Sequence, residues 1–341
     1  MGTERITIKE IAKDTGLSLA TISKYLNNKP ISEKNREIIN ASISKMHYVP
    51  NLAARSMRSS NSRSILIIIF KLAGWAQFWG GLVGSMESTL RENNYSSVVI
   101  TRFTTENENI LNRLTTISRQ FSGAMFVPNT ADDSVIVDHL ANNLHMPVVV
   151  LDQKLKNCDC DFVSTDNFRA AYDATRYLIR HGHTRIAAIG GSSRQYTASE
   201  RKRGYEQALR DSSIPVNPQY FGTTCFTSPE ESQAAFSRIM KLRTPPTAVI
   251  SLNYFTTLGC INAISDADIR VPEDLSFLSF DEDVIFPAIY HGITAIEQDS
   301  SEIGKTAAEI MIARLNGDDS PHHMRLIPAH LIRRGSVQKI E

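Results

Sequence analysis

Three polar residues each follow a short apolar run that has the length of a buried strand. Asp152 follows PVVVL, Asn253 follows AVISL and Asp281 follows LSFLSF. Carboxylate and amide groups at one edge of a sheet can accept hydrogen bonds from ligand hydroxyl groups, and aromatic rings such as Phe78 and Trp79 can stack on a carbon face. These residue types suit the recognition of a carbohydrate.

A second candidate surface lies near the N-terminus, in LSLATISKYLN (residues 17–27). If Ile22 and Leu26 face a core, the opposite side of a helix carries only small or polar side chains: Ala20, Ser23, Lys24 and Asn27. This face has one cation and no acid, so it could approach phosphate groups without repulsion. Lys24 could then reach acceptor atoms of guanine.

Three short helices would position this face. Thr7 and Glu10 have the spacing of a capping box, and the helical pattern that follows stops at Gly16. Ser18 is a suitable N-cap for the second helix, which leaves a turn of about three residues between the two helices. A third helix from Ser32 offers apolar positions for a small core, namely Ile38, Ile39, Ile43 and Met46. This spacing predicts a helix-turn-helix, whose second helix would lie in the major groove of DNA.

The distribution of charge divides the chain into a basic head and an acidic body. Residues 1–63 contain eleven basic and five acidic residues, a net formal charge of +6, whereas the remainder carries −5. Such a division is typical of a nucleic-acid-binding module joined to a sensing or catalytic domain. The N-terminal sequence MGTERITIKEIAK lacks the apolar run of a signal peptide, and no segment has the length and apolarity of a membrane span. We therefore expect a cytoplasmic protein that does not associate with membranes.

From residue 64 onward, apolar strands alternate with helical patterns. A first round runs from Ile65 to Asp152, and a second runs from Phe162 to about residue 282. Two such rounds predict two parallel-sheet subdomains, and ligands of such sheets bind beyond the carboxyl ends of the strands. The cleft between the subdomains is the expected binding site.

Other chemistry has little support in the sequence. Four cysteines are scattered over the chain, and Cys158-Asp159-Cys160 lacks the partner pair that a zinc site requires. The segment IGKTAAE lacks the first glycine of a phosphate-binding loop, and no Gly-x-Ser-x-Gly nucleophile elbow occurs. We expect no metal, no cofactor and no enzymatic activity. The alternative is a sugar-binding protein or a hydrolase that carries a basic accessory head.

Residues 6–58 resemble the DNA-binding headpiece of the lactose-repressor/galactose-repressor (LacI/GalR) family. TIKEIAKDTGLSLATISKYLNN matches its helix-turn-helix, and YVPNLAARSM matches its Tyr-x-Pro-Asn motif and hinge helix. The resemblance implies that Leu19 and Ala20 read bases and that Lys24 stands in place of a guanine-reading arginine. It also implies that Met57 is a minor-groove wedge where the family usually has leucine. The predicted DNA-binding set is Thr7, Ser18, Leu19, Ala20, Thr21, Ser23, Lys24, Asn27, Tyr48, Asn51, Ala54, Met57 and Arg58.

The resemblance also covers the body, which it implies is periplasmic-binding-protein-like. It assigns pocket roles to Arg201 and Gln298 and to the paired aromatic residues at the first body helix, and it places Phe226 near the pocket aromatic of the family. Tyr254 replaces the acid that commonly follows Asn253. Together with the strand-end residues, the predicted effector site is Phe78, Trp79, Asp152, Arg201, Phe226, Asn253, Asp281 and Gln298.

The expected organisation is an all-α headpiece joined to an α/β body of two parallel-sheet subdomains. The headpiece, the hinge helix with its linker, and the body are expected at residues 1–50, 51–63 and 64–341. The N-terminal subdomain would comprise residues 64–162 and 294–322, and the C-terminal subdomain residues 163–290 and 323–341. The chain would cross between them near residues 162–166, 284–294 and 322–326.

The function implied is that of a homodimeric, sequence-specific transcriptional regulator, expected to be a repressor, on a pseudo-palindromic double-stranded DNA operator. A small effector, expected to be a carbohydrate, would bind in the cleft and change operator affinity by allostery. Whether the effector strengthens or weakens DNA binding stays open at this point.

Overall fold

The computed structural model describes residues 6–26, 30–46, 48, 63–70, 76–101, 110–129, 133–156 and 158–340. The chain forms two compact units, residues 1–62 and residues 63–341. Every helix in the described part of the chain is too short or too polar to span a membrane.

The described part of the first unit contains three helices: α1 (Ile8–Thr15), α2 (Leu19–Leu26) and α3 (Glu33–Lys45). One fully buried isoleucine from each helix forms the centre of its core, namely Ile11, Ile22 and Ile39. Ile43 and Met46 pack against this core as expected. Ile38 does not belong to the buried set, because its side chain is 37% exposed. The helical rotation of about 100° per residue turns Ile38 outward once Ile39 points inward.

The predicted start and end of α1 and the predicted start of α2 are confirmed. The Glu10 carboxylate accepts a hydrogen bond from the backbone N–H of Thr7, as in a capping box. Gly16 ends α1 with a left-handed φ of 69°, a conformation that glycine adopts without strain. The Ser18 hydroxyl then accepts a hydrogen bond from the Thr21 backbone N–H at 3.1 Å, so the N-cap of α2 lies two residues after the turn glycine.

The first sheet of the body has six parallel strands. They are β1 (Ser64–Ile69), β2 (Ser96–Thr101), β3 (Gly123–Val127), β4 (Val148–Leu151), β5 (Asp161–Thr165) and β11 (Met324–Ile327), in the order β11-β5-β4-β3-β1-β2. Both faces are covered, because α4 (Ala76–Glu92) and α11 (Ser300–Leu315) pack on one face, and α5 (Ile110–Ile117) and α6 (Ser134–Asp138) pack on the other. The continuous apolar runs of β1, β3 and β4 follow from burial on both faces.

The second sheet repeats this arrangement with one antiparallel edge strand. Its strands are β6 (Ile186–Gly190), β7 (Phe221–Thr223), β8 (Ala248–Ser251), β9 (Ser276–Phe280), β10 (Thr294–Gln298) and β12 (Ala329–Ile332), in the order β12-β10-β9-β8-β6-β7, with only β12 antiparallel. Its covering helices are α7 (Asn167–Arg180), α8 (Tyr196–Asp211), α9 (Pro229–Met240) and α10 (Tyr254–Asp266).

The strand pairings correct the expected limits of the two subdomains. Strand β10 was expected in the N-terminal subdomain, but it pairs with β9 and β12 of the second sheet. The second crossing therefore follows Gln298 rather than lying near residues 284–294. Strands β5 and β11 belong wholly to the first sheet, so the C-terminal subdomain begins after Thr165 and returns after Ile327, not at residues 163 and 323. Hydrogen-bond partners decide membership of a sheet, and strand pattern alone does not reveal them.

Candidate functional site

Strand ends from both sheets border one cavity of about 160 Å³. Asp152 follows β4, Asp281 follows β9 and Gln298 ends β10, so residues far apart in the sequence meet at this edge. The structure brings together all eight residues predicted for the effector site, because each of them lines this cavity: Phe78, Trp79, Asp152, Arg201, Phe226, Asn253, Asp281 and Gln298.

The two aspartates leave their strands through the same backbone conformation. Asp152 has a φ of 64° and Asp281 a φ of 83°, both in the left-handed region. Aspartate and asparagine tolerate this region better than most side chains. Each aspartate still donates its backbone N–H to the sheet, Asp152 to Val163 and Asp281 to Ile296, at 2.9 Å. The chain therefore turns sharply at the aspartate itself, at the edge of the cavity.

Arg201 reaches the cavity from α8 and is held in place by protein groups. Its Nε donates to the Asn167 Oδ1 at 2.7 Å, and its Nη1 donates to the Leu252 carbonyl at 2.7 Å. The guanidinium carbon lies 3.7 Å from the centre of the Phe280 ring, in cation–π geometry. Arg201 is only 4% exposed, so its position is set by the fold without any ligand.

Burial and mutual charge perturb the pKa values of the two carboxylates and the arginine of this cavity. Burial raises the pKa of Asp152 to about 6, against the opposing charge of Arg201 and with a further rise from Asp281. Burial also raises the pKa of Asp281, while Arg201 and hydrogen bonds from Gln298 and Tyr254 lower it. The pKa of Arg201 falls through burial, which the two carboxylates counteract. The positive charge of Arg201 thus stabilises the ionised form of both carboxylates.

The amide side chains of Asn253 and Gln298 orient their neighbours in the cavity wall. Asn253 caps α10, with its Oδ1 accepting from the Thr256 N–H and its Nδ2 donating to the Phe226 carbonyl, both at 2.8 Å. Gln298 Nε2 donates to Asp281 Oδ1 at 2.6 Å, and its Oε1 accepts from the Thr165 hydroxyl. The hydrogen bond from Thr165 joins the end of β5 in the first sheet to the end of β10 in the second.

Aromatic rings form apolar parts of the wall. Phe78 is buried and packs edge to face against Trp79, with ring centroids 5.2 Å apart, in the first turn of α4. Phe226 lies against Gly191, where an added Cβ would come within 2.5 Å of the ring. Gly191, directly after β6, is thus the sequence signal for an aromatic ring packed at this point.

The cavity also includes residues that we did not predict: Val127, Pro128, Asn129, Gln153, Gln195, Thr197, Thr227, Tyr254 and Phe255. Gln153 is buried; its Nε2 donates to the Thr197 hydroxyl at 2.9 Å, and its Oε1 accepts from the Tyr196 N–H at 3.0 Å. Gln153 directly follows Asp152, so its sequence position could have indicated it. Thr197 carries no comparable signal, because only the packing of α8 brings it to the cleft.

The outer face of α2 is the candidate DNA interface of the head. Leu19, Ala20 and Lys24 are exposed, with Leu19 exposed by 46%, whereas Ile22 is buried. Ser23 is intermediate, and Ser18 and Thr21 are hydrogen bonded to each other at the start of the helix. The first turn of α2 contains no acid, which suits approach to a phosphate backbone.

The remaining predicted DNA contacts are only partly described. Thr7 is exposed at the start of α1. Tyr48 packs against the hydrophobic core of the head, and its backbone N–H donates to the Ile43 carbonyl at 3.0 Å. The other five predicted residues lie outside the described part of the chain: Asn27, Asn51, Ala54, Met57 and Arg58.

The histidines and cysteines supply no metal centre in the part of the chain that the structure describes. No group of three or more His, Cys, Asp or Glu side chains there could hold a metal ion. The Cys158 and Cys160 sulfur atoms lie 3.0 Å apart in the segment between β4 and β5, as a hydrogen-bonded pair of free cysteines.

Two family models match the sequence. The model for bacterial regulatory proteins of the lacI family matches residues 7–51, and the model for a periplasmic binding protein-like domain matches residues 175–337. The HTH-type transcriptional repressor PurR of Pasteurella multocida (strain Pm70) is 28% identical over 337 residues, which cover 97% of this chain and 98% of that protein. This relative is named as a repressor and not as an enzyme, so the regulator hypothesis is favoured over a hydrolase.

Solved structures share the fold over nearly the whole chain. The lac repressor dimer bound to operator and the anti-inducer ONPF superposes with a TM-score of 0.83 at 21% identity, covering 98% of this chain and 100% of that one. The complex of the transcriptional regulator CelR with cellobiose gives a TM-score of 0.73 at 22% identity, covering 97% and 100%. With a helix-turn-helix head, a two-sheet body and matches to both family models, this chain combines a DNA-binding domain of the lacI family of bacterial regulatory proteins with a periplasmic binding protein-like domain.

Proposed function

We propose that this protein is a homodimeric transcriptional repressor of the lacI family whose affinity for its operator is controlled by a small carbohydrate bound in the body. The observation that carries the proposal is the presence, in one chain, of an exposed acid-free helix face and a buried cavity with polar and aromatic walls. The first feature suits DNA, and the second suits a hydroxylated ligand.

On the DNA side, α2 would enter the major groove. Leu19 and Ala20 offer apolar contact to thymine methyl groups, while Lys24 offers hydrogen-bond donors to guanine. Each head has one such helix, so two-fold symmetry would place two heads on a pseudo-palindromic site. The remaining predicted contacts, including the Met57 wedge, would add minor-groove binding.

On the effector side, the two carboxylates would accept hydrogen bonds from sugar hydroxyl groups, and the aromatic rings would pack against the carbon face. The cavity of about 160 Å³ is smaller than the roughly 300–1,000 Å³ of most ligand pockets, so a compact ligand or some opening of the cleft is needed. CelR, of similar fold, is described in complex with cellobiose, which supports a carbohydrate as the ligand class.

Control of DNA binding would follow from linkage between the two sites. A ligand that contacts both sheets binds the closed cleft more tightly than the open one, and so shifts the equilibrium between them. If the two cleft states place the paired heads at different spacings, operator affinity changes by the same coupling free energy. The sign of this coupling depends on which spacing matches the operator.

The DNA-binding part of the proposal is tested by selecting an operator from a random duplex pool and measuring the affinity of the protein for it by fluorescence anisotropy. Contacts to about 6 to 10 phosphates predict an affinity loss of about a thousandfold or more between 50 and 200 mM salt. Absent binding, or binding that does not depend on salt, would contradict the proposal.

The effector part of the proposal is tested by thermal-shift measurements with mono- and disaccharides. The anisotropy assay is then repeated in the presence of any sugar that stabilises the protein. We expect one sugar both to raise Tm and to change operator affinity. A sugar that raises Tm without changing operator affinity would argue against allosteric control. Turnover of that sugar would favour the hydrolase alternative.

A further inference from the structure

The only cation that lines the described part of the effector cavity is already committed to protein groups. Arg201 uses two of its nitrogen atoms for Asn167 and the Leu252 carbonyl, and its plane lies against Phe280. Asp152 and Asp281 both interact electrostatically with this guanidinium. Arg201 therefore neutralises part of the negative charge of the cavity wall. Because it is already bonded to protein groups, it is not placed to bind an anionic ligand.

Two helices begin at the cavity, and three N–H groups of their first turns donate to protein side chains. Tyr196, the first residue of α8, donates its N–H to the Gln153 side chain at 3.0 Å. At α10, the Tyr254 N–H donates to the Asp281 carboxylate at 2.8 Å, and the Thr256 N–H donates to Asn253. Helix N-termini bind phosphate through unpaired N–H groups, so these side chains occupy part of the donor set that a phosphate would use at each helix.

Among the described residues that line the cavity, the remaining formal charge is negative. With both carboxylates ionised, Asp152 and Asp281 outnumber the one arginine among the described lining residues. Asp281 is nearly buried, at 3% exposure, and its two oxygen atoms accept hydrogen bonds from Gln298 and Tyr254, which hold the carboxylate in place. An anion placed here would meet a like charge in a medium of low dielectric constant.

We propose that the effector site selects an uncharged, hydrogen-bond-donating ligand and rejects the phosphate ester of the same compound. This inference rests on the proposed function and makes it more specific, because it separates free sugars from sugar phosphates. Carboxylates favour ligands that donate from hydroxyl or N–H groups. The partly occupied helix ends, and an arginine that is already bonded to protein groups, offset little of the desolvation cost of a phosphate.

The test compares matched pairs on the full-length protein by thermal shift and calorimetry: ribose with ribose 5-phosphate, glucose with glucose 6-phosphate, and adenosine with adenosine 5′-phosphate, together with cellobiose. In whichever pair binds, we expect the uncharged compound to bind more tightly than its phosphate ester, by about a hundredfold or more. The reason is that the phosphate would be repelled by the carboxylates of the cavity wall. A phosphate ester that binds as well as or better than its parent overturns the inference.

Asp152→Asn tests the physical cause. Asparagine keeps the size and tolerates the left-handed backbone, so we expect the neutral-to-phosphate affinity ratio to shrink by about tenfold. The control is Asp173→Asn, the same change on the exposed side of α7 where Asp173 pairs with Arg169, and it should leave the ratio unaltered. An equal effect of both variants, or an unchanged ratio in Asp152→Asn, overturns the electrostatic explanation.

Operator binding is measured on the same preparations, which separates the two proposals. If no uncharged compound of the panel binds while operator binding persists, the ligand inference fails and the repressor function stands. If operator binding fails while a neutral ligand is preferred over its ester, the inference stands and the repressor function fails.

Discussion

The side chains of Gln153 and Thr197, 44 positions apart in the sequence, are joined by a 2.9 Å hydrogen bond across the cleft of the body. Gln153 follows β4 of the first sheet, whereas Thr197 lies in the first turn of α8, which packs on the second sheet. The same amide accepts from the Tyr196 N–H. Because α8 also carries Arg201, this contact positions the arginine relative to Asp152.

Gln153→Ala should loosen this contact between the subdomains. We expect amide hydrogen exchange in the first turn of α8 to accelerate by about two- to tenfold, since a net hydrogen bond contributes roughly 0.5–1.5 kcal/mol. Gln195→Ala is the matched control, because Gln195 lines the same cavity at the N-cap of α8 and makes no side-chain capping bond. Equal acceleration in both variants would show that the contact does not hold the helix.

Arg201→Ala should destabilise the body and remove the effector response. The loss leaves two buried carboxylates without their cation, so we expect the free energy of unfolding in urea to fall by about 3–5 kcal/mol. Arg203→Ala, two residues along the same helix, removes an exposed pair with Glu200 and should cost about 1 kcal/mol or less. A value for Arg201→Ala within the range of the control would contradict the buried-charge account. Operator binding by the folded variant should persist.

Asp152→Asn should raise Tm at pH 7.5, with a gain that shrinks as the pH falls. The pKa of Asp152 in the fold is about 6, above the ordinary value of 3.8, so folding above pH 6 carries the cost of a buried charge. Protonation removes this cost as the pH falls through 6 towards 4. Thermal scans of both proteins from pH 4 to pH 8 measure the trend, and a gain that does not vary with pH would contradict it.

Asp274→Asn provides a control of opposite sign for that experiment. The Arg270 side chain donates hydrogen bonds to Asp274 and lowers its pKa to about 2. The ionised form is therefore stabilising above pH 4, and this contribution is lost as the pH falls towards 2. We expect a lower Tm for Asp274→Asn at pH 7.5.

Lys24→Ala should relax the preference at one base pair of each operator half-site. A bidentate or well-placed base contact contributes about 1–3 kcal/mol of discrimination, so affinities for operators that differ at that position should converge. Lys34→Ala, an exposed lysine in the first turn of α3, is the comparison. Affinity measured over a set of single-base operator variants decides the outcome. A loss that is uniform across sequences would make Lys24 a phosphate contact.

Several features were predictable because they depend on local interactions. The cap at Ser18, the turn at Gly16 and the buried isoleucines of the head follow from side-chain chemistry and helical period. The strand-end aspartates were also recognisable, because parallel strands share one carboxyl edge and a polar residue after an apolar run must lie there. Ile38 was the exception, since two adjacent isoleucines left the buried face of α3 ambiguous.

The sequence by itself therefore determined the architecture, the polarity of the candidate interface in the head and eight of the residues that line the cavity. Only the tertiary structure decided which sheet receives β10 and β11, because pairing depends on long-range hydrogen bonds that have no local signature. It also decided that Gln153 meets Thr197 and that side chains accept hydrogen bonds from N–H groups at both helix ends of the cavity. Those contacts arise between segments distant in the chain, so they exist only once the two sheets are packed.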